Sequence, residues 1–410
     1  MANRRKILKG IGGGALAAAV PGLLPGLARG AESFLPEGLP SGVYENAKLD
    51  VLPGKKPLIK LTYRPPNYET PVSYFENAVT PNDAFFVRYH LSLIPEPADL
   101  REWRLQVGGE SVATPLQLSI QDLQKLPQTE LQAVCQCSGN RRGFSEPHVA
   151  GVQWGNGAMG NATWSGVRLK DILVKAGIKS DAVEVVVEGE DGPIVDKTPD
   201  FVKSIPVWKA MDENTLIAFK MNDQPLPPYN GFPARLVVPG WTATYWMKHL
   251  TGIRAVNKPF DGFWMKGAYR VPRGKFPVAR PFETQLTEAN EPITDIVVNS
   301  VIAAPGNGEK IRVGRPVDVK GVAWDAGSGI KRVEVSNDGG KSWHDAALGK
   351  DGGRFGFRPW SFRFTPSAAG SYAVLARATA VNGQTQATSL IFNPAGYHNN
   401  VPRPVTLVAA

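Results

Sequence analysis

The sequence predicts an α+β domain followed by a β-sandwich, and three observations support this fold class. The 43 Gly and 35 Pro among 410 residues are typical of a turn-rich chain rather than a helical bundle. Short helix signals alternate with apolar strands up to about residue 275, and regular short strands with tight turns follow after Pro281. The length fits two or three domains at roughly 100–200 residues per domain.

Residues 1–33 are predicted to be an export signal of the twin-arginine type. Arg4 and Arg5 stand in a basic segment, and the weakly apolar run at 10–27 is broken by two prolines. A transmembrane helix needs about 20 strongly apolar residues, so no stable membrane insertion is expected. A Sec signal or a one-pass anchor is the alternative. We therefore expect a periplasmic protein, exported after folding around a cofactor.

Residues 34–284 form the predicted α+β domain. After a Pro- and Gly-rich extended arm up to about residue 75, Ser119 is a plausible N-cap of a short helix. Gly177 is a plausible C-cap for a second helix, at 168–176. Apolar runs bounded by Gly and Pro predict strands at 104–107, 131–137, 182–188, 216–221 and 235–238.

Residues 285–410 form the predicted sandwich. Alternating apolar and polar residues predict strands at 296–301, 317–324, 330–336, 360–364 and 372–380. The segments 337–340 (Asn-Asp-Gly-Gly) and 381–384 (Val-Asn-Gly-Gln) predict hairpin turns, because Asn, Asp and Gly tolerate positive φ. Strands of this length and spacing favour an immunoglobulin type of sandwich, without the Cys pair of antibody domains.

Composition excludes several kinds of site. Two Cys cannot form a disulfide framework or a four-thiolate metal site, and five His argue against a multi-His metal centre. The chain has no Cys-x-x-Cys-His sequence, so no haem is expected on it. Once residues 1–33 are removed, the formal net charge of +9 falls to about +5, a weak attraction for anionic partners. No basic run is interleaved with aromatics, so no nucleic-acid partner is expected.

The strongest candidate for a reactive or metal-binding site is the segment 135–143, Cys-Gln-Cys-Ser-Gly-Asn-Arg-Arg-Gly. Neighbouring guanidinium groups favour the thiolate form of a cysteine, which binds soft metals and acts as a nucleophile. Arginine pairs also bind tetrahedral oxyanions. The residues alone leave three interpretations open: a strained Cys135–Cys137 disulfide, a nucleophilic Cys with His148 nearby as its base, and a metal thiolate.

This segment resembles the signature of the sulfite oxidase family of molybdenum enzymes. Four further blocks support the resemblance in the same order, at 85–90, at 230–241, at 246–248 and at 335–343. The resemblance covers roughly residues 78–400. In layout the chain is similar to the molybdenum subunits of the periplasmic sulfite dehydrogenases in that family.

The resemblance implies a set of site residues. Cys137 would bind the molybdenum of a molybdopterin cofactor, one molybdenum per chain, and Cys135 would be a buried free thiol. The implied substrate-pocket residues are Arg88, His90, Arg142 and Tyr269. The implied cofactor-binding residues are Phe86, Val87, Arg88, Tyr89, His90, Asp191, Asn230, Arg235, Trp246, Met247 and Lys248. Together these predict one site at which the cofactor and an anionic substrate meet.

Two positions depart from the family pattern. The run 393–396 is Asn-Pro-Ala-Gly, where vertebrate relatives have Asn-Leu-Arg-Gly with the arginine in the substrate pocket. Ala395 therefore removes one positive charge from the expected site. Asn230 stands where relatives often have His, so one contact with the pterin is expected to differ.

The resemblance also implies an activity and partners. The expected reaction is oxidation of sulfite to sulfate, with electrons passed to a c-type cytochrome, in a heterodimer with that cytochrome or a homodimer. A periplasmic molybdenum sulfoxide reductase is the alternative within the family. An exported immunoglobulin-like binding module is the alternative from another class, and it would contain no molybdenum.

Overall fold

Strands dominate the fold. The computed structural model describes residues 48–278, 280 and 282–410, and all of these belong to one compact unit. Within this part of the chain four short α-helices span Ile120–Gln124, Leu169–Lys175, Val207–Ala210 and Phe263–Lys266. Five 3-10 helices there span Val72–Glu76, Arg142–Phe144, Pro228–Asn230, Ala243–Tyr245 and Glu283–Gln285. The predicted α+β domain is thus mostly sheet.

The predicted export signal at 1–33 lies outside the described residues. Inside them, no helix is long and apolar enough to span a bilayer.

Two five-stranded sheets build the N-terminal two thirds of the described chain. The first has the strand order Lys203–Pro206, Glu184–Gly189, Leu250–Val256, Leu105–Gly108 and Leu116–Leu118. The second joins Gln224–Pro225, Leu216–Met221, Met159–Arg168 and Gln128–Gln136, and Arg235–Val237 also pairs with Leu216–Met221. Buried side chains of both sheets, such as Val187, Ile253 and Trp164, belong to one hydrophobic core. The two sheets therefore share the core beside which the predicted site lies.

Part of the predicted extended arm is a folded sheet. Four antiparallel strands lie in the order Lys48–Asp50, Leu58–Thr62, Asn67–Glu69 and Val87–Arg88. The arm prediction is wrong here because strands this short leave no readable alternation of apolar and polar residues. The buried Glu69 accepts hydrogen bonds from the backbone N–H groups of Gly155 and Gly157, at 2.8 and 2.7 Å. This sheet is therefore hydrogen-bonded to the loop that contains Gly155 and Gly157. Its last strand ends at Arg88.

Residues 299–409 form two further sheets. One has the order Asn299–Ala304, Val317–Trp324, Arg358–Phe364 and Ala347–Leu348. The other has the order Lys310–Ile311, Val405–Ala409, Gly370–Ala380, Ile330–Ser336 and His344–Asp345. Val319, Trp360, Val333 and Leu407 come from both sheets and share one buried core. Two sheets around one core agree with the predicted sandwich, whereas its immunoglobulin type and the domain boundaries stay predictions.

A two-stranded ribbon lies between these two parts in sequence. It pairs Arg270–Pro272 with Asn290–Pro292. Tyr269 directly precedes its first strand, so the ribbon fixes the backbone from which the predicted pocket tyrosine projects.

Most predicted elements are confirmed. Leu216–Met221, Val317–Trp324 and Ile330–Ser336 have the predicted bounds. Ser119 accepts a hydrogen bond from the Asp122 backbone N–H at 3.1 Å in a capping box. Gly177 follows its helix at φ 68°, as a C-terminal glycine should. The strand predicted at 296–301 begins only at Asn299. Ile296 and Val298 are buried in the loop before it, and their apolar side chains therefore resembled the start of a strand.

Candidate active site

One cavity gathers the predicted site residues. It encloses about 670 Å³ including its open mouth. The predicted residues that line it are Phe86, Arg88, Tyr89, His90, Cys137, Asp191, Asn230, Arg235, Trp246, Met247, Lys248 and Tyr269. Of the remaining two, Val87 is buried but does not line the cavity, and Arg142 lies outside the lining. Residues up to 183 positions apart in sequence thus meet at one place.

The Cys137 thiol is held at the end of a long strand. The strand Gln128–Gln136 stops one residue earlier, and the Cys137 backbone N–H donates to the Ala158 carbonyl at 2.9 Å. The Cys137 carbonyl accepts from the Asn140 N–H at 2.9 Å, which closes a tight turn. Arg141 then adopts φ 69°, and the 3-10 helix Arg142–Phe144 follows. The turn directs the chain away from the sheet and leaves the thiol at the cavity wall.

Both cysteines are free thiols, so the disulfide interpretation is wrong. Cys135 also lines the cavity, and an Arg235 nitrogen lies 3.7 Å from its sulfur. Burial raises the pKa of Cys135 to about 11, so this second thiol stays protonated at neutral pH. His148 is exposed and does not line the cavity, which leaves the nucleophilic interpretation without its base.

Arg88, His90 and Tyr269 form a connected cluster at one end of the cavity. Arg88 Nη2 lies 2.9 Å from His90 Nε2, and the Tyr269 hydroxyl also contacts that nitrogen. Burial, together with the charge of Arg88, holds the pKa of His90 well below its usual range. The imidazole is therefore neutral, and its Nε2 accepts from the Arg88 guanidinium. Burial raises the pKa of Tyr269 to about 12, so its phenol keeps its proton.

Arg142 lies beside this cluster without reaching the cavity wall. Its Nε donates to the Ala395 carbonyl at 2.7 Å, and its Nη1 donates to the Val152 carbonyl at 3.1 Å. Its guanidinium carbon lies 5.4 Å from the ring centre of Tyr397. The C-terminal third of the chain therefore takes part in holding Arg142.

A second group of lining residues offers hydrogen-bond donors to an anionic group. Lys248 Nζ is buried and has no hydrogen-bond partner among the described residues, and burial holds its pKa well below the usual range. The attraction of Asp191 opposes that effect. Arg235 Nε and Thr244 Oγ1 are likewise buried without a partner in the described part. Since buried polar groups are almost always paired, these three donors fit a ligand that accepts hydrogen bonds.

These residues fit a molybdopterin. Lys248, Arg235 and Thr244 suit its phosphate, and the Asp191 carboxyl suits N–H donors of the pterin. Cys137 supplies the soft sulfur ligand that molybdenum requires.

Asn230 lines the cavity, and its amide makes two hydrogen bonds within the protein. Its Oδ1 accepts from Lys55 Nζ at 2.5 Å, and its Nδ2 donates to the Phe86 carbonyl at 3.0 Å. Lys55 Nζ also donates to the carbonyls of Asn82 and Phe85, at 2.7 and 3.1 Å. Asn230 therefore shapes the cavity wall with Lys55, and its remaining Nδ2 hydrogen and Oδ1 lone pair leave the predicted contact with the pterin a prediction.

Several lining residues were not predicted from the sequence. They are Phe85, Ser138, Phe201, Tyr229, Ala243 and Thr244. Five of them lie within three positions of a predicted residue in sequence, so extending each motif by a few positions would have found them. Phe201 stacks on His90 with ring centres 4.2 Å apart, yet it lies in a loop with no motif. Only the fold brings it to the site.

Comparison with known proteins agrees with this geometry. Residues 91–264 match the family model described as the oxidoreductase molybdopterin binding domain. Residues 290–406 match the Mo-co oxidoreductase dimerisation domain. The solved structure of the sulfane dehydrogenase SoxCD from Paracoccus pantotrophus is similar, with a TM-score of 0.71, 25% identity and 91% of each chain covered.

The sequence relatives point to one family. Sulfite oxidase of Arabidopsis thaliana is 31% identical over 323 residues, which cover 74% of this chain and 79% of the plant protein. Mitochondrial sulfite oxidase of Drosophila melanogaster is 34% identical over 81% of this chain, and that of Homo sapiens 36% identical over 72%. The matched part spans only 60% of the fly protein and 54% of the human protein. The resemblance carried by the Cys137 segment is thereby confirmed, and the chain belongs to the sulfite oxidase family of molybdenum oxidoreductases.

Proposed function

We propose that this protein oxidises sulfite to sulfate at a molybdopterin-bound molybdenum held by Cys137. One observation supports the proposal most strongly. The same cavity contains the Cys137 thiol, the unpaired donors of Lys248, Arg235 and Thr244, and the cluster of Arg88, His90 and Tyr269. These groups suit a site that binds both an anionic cofactor and an oxyanion.

The substrate end acts through charge and hydrogen bonding. Arg88 Nε is buried without a partner among the described residues, so it can donate to a sulfite oxygen. The Tyr269 phenol, protonated because its pKa is about 12, is a second donor. Neutral His90 accepts from Arg88 and contacts the Tyr269 hydroxyl, which orients both groups without adding charge. Together they offset the negative charge of the substrate and fix its orientation.

The cofactor supplies the redox chemistry, in which molybdenum accepts two electrons while an oxygen atom is added to sulfur. The balanced reaction is sulfite plus water to sulfate, two protons and two electrons. Cys137 would hold the metal, and Lys248, Arg235 and Thr244 would hold the phosphate. The apolar walls formed by Phe86, Trp246 and Met247 limit the entry of water.

The two electrons leave to another protein in this proposal. We propose a c-type cytochrome as the acceptor and the periplasm as the location, on the strength of the twin-arginine pattern at 4–9. The matched C-terminal model is a dimerisation domain, which supports a homodimer, and a heterodimer with the cytochrome is the alternative that we propose.

The test is an anaerobic assay of the purified protein with sulfite and ferricyanide, alongside a molybdenum measurement. We expect about one molybdenum per chain and sulfite-dependent dye reduction. Reduction of dimethyl sulfoxide with no oxidation of sulfite would favour the sulfoxide reductase alternative, and absence of molybdenum would favour the binding module.

A second candidate is oxidation of sulfane sulfur. The observation that favours it is the likeness to sulfane dehydrogenase SoxCD over 91% of the chain. Ala395, which removes a positive charge expected beside the pocket, suits a substrate less anionic than sulfite. Parallel assays with sulfite and with a small-molecule persulfide separate the two, since the preferred substrate has the higher kcat/KM.

A further inference from the structure

A closed turn of the C-terminal part of the chain ends against the candidate site. Asn393 binds both ends of this turn, because its Oδ1 accepts from the Tyr397 N–H at 2.9 Å and its Nδ2 donates to the Tyr397 carbonyl at 2.8 Å. The Gly396 N–H also donates to the Asn393 carbonyl at 3.0 Å. The turn 393–397 is therefore fixed internally, and its shape does not depend on the site.

The turn contacts Arg142 through two groups. The Ala395 carbonyl accepts from Arg142 Nε at 2.7 Å, and the guanidinium carbon lies 5.4 Å from the Tyr397 ring centre. The Val152 carbonyl accepts from Nη1. The turn thus fixes one edge of the Arg142 guanidinium beside the site.

The turn also contacts Tyr269. The rings of Tyr397 and Tyr269 stack with centres 5.8 Å apart and planes 10° from parallel. Tyr269 adopts φ 57°, a backbone conformation that an L residue holds only when its surroundings enforce it. The ring of Tyr397 supports Tyr269 on one side, and the Lys203 ammonium lies 5.1 Å from the Tyr269 ring centre. One aromatic ring therefore touches both predicted pocket residues.

We propose that Tyr397 is a positioning residue of the candidate site. It holds the Tyr269 phenol in the orientation that binds the oxyanion and fixes the Arg142 guanidinium beside the site. The turn that has lost the expected arginine at Ala395 thereby acts on the substrate through a ring and a carbonyl instead of a charge. This inference rests on the proposed sulfite chemistry and deepens it.

The first test compares ring removal at two places in the same domain. Tyr397→Leu in the molybdenum-loaded protein is compared with Tyr372→Leu, a partly buried tyrosine in the strand Gly370–Ala380. The readouts are the Kd for inorganic sulfate by calorimetry and the steady-state constants for sulfite. For Tyr397→Leu we expect Kd and KM to rise about tenfold, the size expected when one aromatic stack and one cation–π contact are lost. Tyr397→Phe keeps the ring and should restore most of the affinity.

The second test moves the turn without removing the ring. A Cβ at Gly396 would lie 2.8 Å from Arg142 Cγ and 2.6 Å from a Val149 methyl, at φ 61°. A Cβ at Gly383 would meet nothing within 4 Å, at φ 87°, so Gly383→Ala is a matched control for backbone strain alone. We expect Gly396→Ala to weaken sulfate binding severalfold and Gly383→Ala to leave it unchanged. This comparison also decides the question if Tyr397→Leu does not fold.

Two outcomes overturn the inference. Sulfate affinity that is the same in Tyr397→Leu and Tyr372→Leu, or in Gly396→Ala and Gly383→Ala, would show that the turn does not position the site. Wild-type protein that binds sulfate and oxidises sulfite in that experiment would leave the proposed function intact. Wild-type protein that does neither would overturn the proposed function and this inference with it.

Discussion

Lys55 offers a quantitative test of how the N-terminal sheet supports the site. Its buried ammonium donates to Asn82 O, Phe85 O and Asn230 Oδ1, at 2.7, 3.1 and 2.5 Å. Lys55→Met keeps the length and apolar stem but leaves three acceptors unpaired. At about 1 kcal/mol or more for each unpaired acceptor, the expected loss is about 3 kcal/mol. With an unfolding entropy of about 2.1 cal/mol/K per residue, this lowers Tm by about 4 °C.

The matched control for this substitution is the next residue. Lys56 is exposed to 46% and forms a 3.4 Å ion pair with Asp83, so Lys56→Met should change Tm by less than about 1 °C. Because Phe85 and Asn230 line the cavity, Lys55→Met should also reduce the molybdenum content of the purified protein. Calorimetry and metal analysis of the two variants give both readouts. Equal Tm and equal molybdenum content in the two variants would refute the reasoning.

Three further predictions concern the site and the buried histidines. Cys137→Ser should abolish sulfite oxidation with the fold retained, while Cys135→Ser keeps most activity. Equal losses of activity in the two variants would contradict the assignment of Cys137 as the metal ligand. Arg88→Gln should lower kcat/KM for sulfite by one to two decades, mainly through KM, since a charge-assisted contact is worth about 1.5–3 kcal/mol; an unchanged sulfite affinity would count against Arg88 as an anion donor. Burial lowers the pKa of His249 and of His398 to about 3, so the unfolded state binds more protons below pH 6.5. Stability should then fall as pH drops from about 6.5 to 3, by up to about 1.4 kcal/mol per pH unit for each group, and urea unfolding of His398→Gln should show a shallower pH dependence than the wild type.

The sequence predicts the site better than it predicts the fold around it. Motif residues such as Cys137, Arg235 and Lys248 are recognisable because their chemistry restricts which residue types serve. The structure brings these three residues to one cavity, while their roles stay predictions. Arg142 is an exception, because it does not line the cavity. The motif predicts an arginine there, but it does not predict that the carbonyls of Ala395 and Val152 accept hydrogen bonds from the guanidinium.

The strand Met159–Arg168 was not predicted from the sequence, and the cause is physical. Met159–Arg168 is the centre of its sheet, yet it contains Gly160, Asn161 and Gly166, which read as loop residues. Gly160 is required there because a Cβ would lie 2.4 Å from the Phe85 ring, and Gly166 because a Cβ would lie 2.0 Å from the Ile217 carbonyl. Close packing between strands and side chains selected these glycines. That information is tertiary, so local patterns do not report it.

The contribution of the C-terminal third to the site was also beyond local patterns. The sequence indicates only that Ala395 replaces an expected arginine. The contacts of Tyr397 with Arg142 and Tyr269 depend on a turn 255 positions away from Arg142, and no periodicity connects them.

The most direct test of the central claim follows electrons from sulfite to an acceptor. Protein of known molybdenum content is reduced anaerobically with sulfite in a stopped-flow instrument and then mixed with cytochrome c or, separately, with oxygen. We expect each sulfite consumed to reduce two cytochrome c molecules, and the Cys137→Ser protein to reduce none. Fast oxidation by oxygen with peroxide formation, and none by cytochrome c, would contradict the proposed acceptor. No sulfite-dependent reduction by molybdenum-loaded protein would contradict sulfite oxidation itself.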